Sequence, residues 1–261
     1  MATLRDCIYG QAVGDALGVP YEFMVRGSFE CVGMTGHGTH DQPAGTWSDD
    51  TSMALALCGS YRELGKWDAA DVRSRFEAWF RHGSYTVDGL FDIGNATARA
   101  LSEGRGLAGE YDNGNGSLMR TVPMALTDAT DDEVRAVSAI THAHPISCEA
   151  CVDMVHIARD LVAGVPVGEA VPQTAELART PCSDIRSGGY VRDTFRAALW
   201  CLVNTTDYAD CVLAAVNLGD DTDTTAAVAG ALAGIVYGMG AIPHEWLSAL
   251  RGKDVIERCL F

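Results

Sequence analysis

Apolar side chains recur at helical spacing along almost the whole chain. Met53, Leu57 and Leu64 form one such stripe, and Ile8, Ala12 and Asp15 follow the same period near the start. Patterning of this kind predicts helices over 4–19, 51–65, 68–82, 95–102, 131–143, 147–163, roughly 167–179, 190–203 and 207–215. A further helix opens at the Asp- and Thr-rich stretch near residue 220, and the tail 243–261 holds one more. No stretch of five or more residues alternates polar and apolar convincingly, so no strand is predicted. No repeat or low-complexity linker divides the sequence. The expectation is an all-α fold, one compact multi-helix domain spanning 1–261, with loops and helix N-termini gathered on one face.

Two of the predicted helices carry glycine on one face. Gly10, Gly14 and Gly18 fall at four-residue intervals, and so do Gly230, Gly234 and Gly238. Such faces let neighbouring backbones approach closely. Ala226 to Ile242 is uncharged and near the lower length limit for a membrane span, but it is rich in Gly and Ala, so it reads as a buried helix. Pro20 ends the first helix, which puts Asp15 near its end, partly buried, and Glu22 in the loop that follows.

Two acidic knots change the picture. Asp220, Asp221 and Asp223 fall within four residues, with Thr222, Thr224 and Thr225 among and after them. Ser48, Asp49, Asp50 and Thr51 form the second knot, with Ser48 as a candidate N-cap. Acids in a first helical turn also serve as caps and favour the helix dipole. If the two N-termini meet, however, five carboxylates converge, and unpaired burial of that many charges is very costly. A divalent cation removes the repulsion, and hard cations take carboxylate and hydroxyl oxygens.

The loops around the knots supply further candidates. Residues 27–46 form a Gly-, His- and Thr-rich loop that leads into Ser48 and is expected to wall the site; His37 and His40 could be ligands there, but solvated loop histidines are commoner and they are read as such. Asp92 stands between Phe91 and Ile93, a carboxylate in apolar company. Residues 104–117 are rich in Gly and Asn, and their amides could cradle a phosphate, although Gly-Asn-Gly is also an ordinary turn signal.

Nineteen basic residues against 35 acidic ones give a net charge of −16. That disfavours duplex nucleic acid and anionic membranes as partners, while leaving room for a small phosphate-bearing ligand at a helix N-terminus. The first residues contain no apolar signal segment, and the nine cysteines are scattered, several on apolar faces, which fits reduced thiols in a cytoplasm. Cys148 and Cys151 are the one close pair, and no second pair completes a zinc site.

Seven separated motifs then align with one family. Gly-Asp-Ala-Leu-Gly (14–18) with Glu22, Gly-Thr-Trp-Ser-Asp-Asp-Thr (45–51), Asp-Ile-Gly-Asn (92–95), Gly-Asn-Gly-Ser-Leu-Met-Arg (114–120), Thr-His (141–142), Gly-Tyr-Val (189–191) and Asn-Leu-Gly-Asp-Asp-Thr-Asp-Thr (217–224) occur in this order. Together they resemble the ADP-ribosylglycohydrolases, over nearly the whole chain. The resemblance implies two divalent cations, Mg2+ or Mn2+, held by Ser48, Asp49, Asp50, Asp221, Asp223 and Thr224. Many family members have Thr at the place of Ser48; either residue offers a hydroxyl. It implies a substrate site lined by Gly94, Asn95, Asn115, Gly116, Ser117, Leu118, Met119, His142 and Tyr190, with Asp92 and Glu22 as candidate catalytic carboxylates. It implies hydrolysis of the bond between ADP-ribose and a modified residue of a protein, or of a small ADP-ribosyl compound, by a monomer. Arginine is the favoured linkage; serine-linked or O-acetyl-ADP-ribose, a phosphoesterase, and a non-catalytic ADP-ribose-binding protein on the same fold are the alternatives.

Overall fold

The computed structural model describes residues 2–261. Among them there is no strand, and three isolated bridges are the only extended pairings, so the fold is all-α as predicted. The helices, in chain order, are α1 (Leu4–Gly18), α2 (Asp49–Leu64), α3 (Ala69–His82), α4 (Asn95–Glu103), α5 (Asp131–Ser138), α6 (Pro145–Val162), α7 (Val167–Ala170), α8 (Thr174–Leu177), α9 (Val191–Asn204), α10 (Tyr208–Val216), α11 (Thr222–Tyr237), α12 (His244–Ala249) and α13 (Lys253–Cys259). No helix among the described residues is long and apolar enough to cross a membrane. The uncharged run is α11, and it is buried along nearly its whole length.

The glycine faces meet each other. A side chain on Gly10 would strike the carbonyl oxygen of Gly230 at 2.3 Å, one on Gly14 that of Ala226 at 2.1 Å, and one on Gly18 the Cα of Asp223 at 2.3 Å. The contacts advance along α1 as they retreat along α11, so the helices run antiparallel with their backbones in contact. The C-terminal end of α1 therefore lies against the N-terminus of α11. Gly238 departs from the expected stripe: it lies just past the end of α11, at φ 78°.

α1 also sets the start of α2. Asp15 is wholly buried and accepts from the Ser48 amide (2.9 Å), the Thr51 amide (3.0 Å) and the Thr51 hydroxyl (2.6 Å). Gln11, equally buried, donates to the carbonyls of Asp50 and Met119. One helix thus holds the N-termini of two others together.

Three predicted helices are shorter or broken. The one expected over 131–143 ends at Ser138, because Thr141 and Ala143 pair instead with Leu107, and the Thr141 hydroxyl accepts from Arg120. The one expected near 167–179 is two single turns, divided at Pro172 and at Gln173, whose φ is 55°. The tail holds two helices, parted where the Arg251 amide donates to the carbonyl of Gly45.

Candidate active site

The two acidic knots meet. Thr224 Oγ1 donates to Asp50 Oδ2 at 3.3 Å across 174 positions, and Ser48 Oγ donates to the same oxygen at 3.0 Å. Ser48 caps α2 as predicted, accepting from the Asp50 amide. Asp221 stands just before α11 and receives the Asn115 amide at 2.8 Å. Four of the five acids converge. Asp220 does not: it is exposed, with a left-handed φ of 58°, and its amide and carbonyl pair with Met24 and Phe23.

Four of the converging carboxylate oxygens lack partners. Asp50 Oδ1, Asp221 Oδ1 and both carboxylate oxygens of Asp223 are buried and accept no hydrogen bond. Burial, reinforced by the neighbouring acids, pushes the carboxyls of Asp49, Asp50 and Asp223 well above the usual carboxylate range. Asp15 provides a contrast within the same region. Burial lifts it to about 6, but hydrogen bonds from Ser48 and Thr51 oppose the rise, and its oxygens are satisfied. Stripped carboxylates beside hydroxyls form a donor set that fits a hard divalent cation. The oxygens of Glu22, Asp221 and Asp223 come within 4.8 Å of one another.

Beside this cluster lies a cavity of about 310 Å3. Asp49, Asp221 and Thr224 reach it from the acidic side. The turn from Asp92 to Thr97 forms a second wall, and Asn115, Gly116, Met119 and His142 a third. Gly94 and Asn95 start α4, so the free amides of its first turn open on the cavity. Ser48, Asp50 and Asp223 are buried and lie outside the lining. Of the other predicted wall residues, three lie elsewhere. The Ser117 hydroxyl faces Ser138 and Cys151, Leu118 belongs to the core, and Tyr190 is exposed beyond the lining, bridged to Gly114.

The third wall is braced from behind. Arg120 is fully buried and donates to the Gly116 carbonyl (2.6 Å) and the Thr141 hydroxyl (2.8 Å), with its guanidinium over the Phe76 ring. Thr141 in turn bonds His142 Nδ1 at 2.8 Å. Burial lowers His142 to about 3, so it is neutral at ordinary pH. A side chain at Gly116 would come within 2.7 Å of His142 Cε1, which explains the glycine.

Glu22 and Asp92, far apart in sequence, both line the cavity. Burial raises Glu22 to about 7, with Asp92 and Asp221 adding to the rise and His40 opposing it. Asp92 is half-buried at a left-handed φ of 49°, a conformation that costs energy for a non-glycine residue. His40 corrects a sequence expectation. It is no solvated loop histidine: its Nε2 hydrogen-bonds Glu22 Oε2, and its ring lies near those of Phe23 and Phe91. Thr39 donates to the Glu22 carbonyl at 2.7 Å, so one short turn grips both ends of that residue. His37 is exposed, as expected, beside Asp41. Phe23, Ile93 and Thr97 also line the cavity without having been marked in the sequence.

Fold and site define a class: an all-helical protein whose two Asp-rich helix N-termini and two further carboxylates meet at one small-molecule cavity. The family model for ADP-ribosylglycohydrolase matches residues 2–260, and the chain belongs to that family. It is 36% identical to the ADP-ribosylarginine hydrolase Tri1 of Pseudomonas putida (strain GB-1) over 97% of this chain and 76% of that protein. It is also 36% identical to the ADP-ribosyl-[dinitrogen reductase] glycohydrolase of Rhodospirillum rubrum, over 94% of this chain and 88% of that protein. A solved structure described as an ADP-ribosylglycohydrolase-related protein complex superposes with a TM-score of 0.83 at 32% identity, covering 98% of this chain and 95% of that one.

Proposed function

We propose that this hydrolase of ADP-ribosyl bonds acts on ADP-ribose linked to arginine, with two divalent cations, Mg2+ or Mn2+, at the acidic cluster. The observation that carries the reading is the set of unpartnered buried oxygens on Asp50, Asp221 and Asp223 beside the cavity. Ser48, Asp49, Asp50, Asp221, Asp223 and Thr224 would hold the ions, which supply charge neutralisation and a Lewis acid for the ribose hydroxyls. The family relation to an ADP-ribosylarginine hydrolase supports arginine as the linkage.

The remaining roles follow from the walls. The first turn of α4, at Gly94 and Asn95, offers free amides to the pyrophosphate. Asn115 and the neutral His142 offer hydrogen bonds to the nucleotide, and Gly116 and Met119 shape the wall between them. Asp92 takes a proton from water as the water oxygen bonds to the anomeric carbon. The bond to the guanidino nitrogen breaks, its electron pair leaves with the guanidine, and the proton on Asp92 passes to it. The oxocarbenium-like charge that develops is steadied by Glu22, which His40 holds in place. Asp92 and Glu22 also face the planar guanidinium of the substrate, which a serine oxygen does not match.

Incubation with arginine-, serine- and O-acetyl-linked ADP-ribose, with and without Mg2+ or Mn2+, tests the reading through released ADP-ribose. Metal-dependent release from the arginine conjugate is expected to dominate. A serine preference of about tenfold or more, ~1.4 kcal/mol of transition-state discrimination, overturns the linkage.

A further inference from the structure

Next to the catalytic cavity runs an open trough of about 480 Å3, lined by Val25, Arg26, Ile185, Arg186, Leu218 and Asp220 among others. Adjacent stretches of chain line both depressions at three places. Phe23 faces the cavity and Val25 the trough; Asp221 faces the cavity and Asp220 the trough; Gly189 faces the cavity and Gly188 the trough. The ridge between them is therefore only a residue or so wide. Main-chain bonds stitch it: Phe23 donates to Asp220 at 2.7 Å, Asp220 to Met24 at 3.0 Å, and Asp221 to Ser187 at 3.0 Å.

The floor of the trough is braced by one side chain. The Arg26 guanidinium donates to the carbonyls of Leu218, Cys182 and Ile185, each at 2.6 Å. Above that floor lie two further features. Phe23 and Val25 are 68% and 70% exposed, large apolar side chains two residues apart at the lip of an active site. Arg186 is exposed; Asp193 on the same trough wall feels its charge but makes no ion pair with it, whereas the nearby Arg192 and Arg196 are paired with Asp153 and Glu176. In a chain of net charge −16, an arginine left unpaired beside exposed apolar surface that continues a binding cavity marks a place for a partner.

We propose that this trough docks the polypeptide of an ADP-ribosylated protein substrate. With the ADP-ribosyl group in the cavity, the chain flanking the modified side chain crosses the ridge beside Phe23. It lays an aliphatic residue against Val25 and an acidic residue against Arg186. A small ADP-ribosyl compound fills the cavity alone and never reaches the trough. The inference rests on the hydrolase reading above, and its test separates the two.

Two exposed substitutions outside the catalytic machinery, Val25→Asp and Arg186→Glu, are compared with the unaltered chain on two probes. One is ADP-ribosylagmatine; the other is a peptide with an ADP-ribosylated arginine flanked by leucine and glutamate. Each substitution is expected to lower kcat/KM on the peptide about fivefold or more, mainly through KM, with ADP-ribosylagmatine unchanged. A peptide in which lysine replaces the glutamate should recover part of the loss in Arg186→Glu. Equal losses on both probes, or no loss on the peptide, overturn the docking trough. Failure of the unaltered chain to hydrolyse ADP-ribosylagmatine overturns the arginine-linked hydrolase reading on which this inference rests.

Discussion

Thr224 reaching Asp50 joins two stretches of sequence into one site, and the unpartnered oxygens around them set what each side chain is worth. Asp49→Asn and Asp221→Asn each remove a carboxylate that, on the proposal above, holds metal. Each is expected to weaken metal binding and turnover by more than the ~10- to 100-fold that loss of an outer partner costs. The double substitution should fall little further, since either loss disables the same site. Metal titrations and rates of the three variants check this; multiplicative effects would separate the knots. Asp92→Asn is expected to lower kcat by about 10²–10⁴ while leaving ADP-ribose binding nearly intact, and Glu22→Gln to cost less. Rates and ADP-ribose affinities of both variants decide it, and the reverse order would exchange the two roles. The knots were legible in the sequence because several acids and hydroxyls within a few residues are hard to explain otherwise. His40 was not, because nothing local distinguishes a histidine that meets Glu22 from one that meets water. Asp220 erred the other way: it shares a motif with Asp221, yet its backbone turns left-handed and carries it out.

Among the elements, α1 decides the geometry. Its glycine face seats α11, and its Asp15 and Gln11 seat α2. Gly14→Ala puts a methyl 2.1 Å from a backbone oxygen that cannot swing aside. The expected cost is at least ~2 kcal/mol, several degrees of Tm in a chain of this size. Because the displaced helix carries Asp223 and Thr224, metal affinity should fall with stability. Thermal unfolding with and without Mn2+ checks this; an unchanged Tm would refute the close packing. The glycine spacing was readable, and so were most helix starts. The breaks at 139–143 and 171–173 were not, since they depend on Leu107 and Arg120 from elsewhere and on a left-handed Gln173.

For the molecule as a whole, the buried carboxyls tie stability to pH and, with the proposed cations bound, to metal. Glu22 holds its proton up to about 7 against an ordinary 4.5, and Asp15 up to about 6. In both, the folded chain binds the proton more tightly than the unfolded one. The stability they contribute is complete below the ordinary carboxylate range and is lost as pH rises through 6 to 7. Metal-free protein is therefore expected to lose Tm over that interval. Saturating Mn2+ should reverse the trend, because its ligands bind deprotonated and an ion that binds only the folded form stabilises it. Thermal scans in chelator and in metal between pH 5 and 8 read both slopes; parallel slopes would mean that no cation occupies the cluster.

The pairing of α1 with α11 also bears on how the molecule is made. α1 leaves the ribosome before α11, and the surface that covers its glycine face is encoded more than two hundred residues later. At about 5–20 residues per second, α1 waits roughly ten to forty seconds for it. During that interval the first half of the chain carries Glu22, Asp49, Asp50 and Asp92 with no second knot to complete the cluster. With the cations proposed above, metal capture would wait until α11 has been synthesised and docked, so that it, helix docking and the onset of activity would belong to one late event.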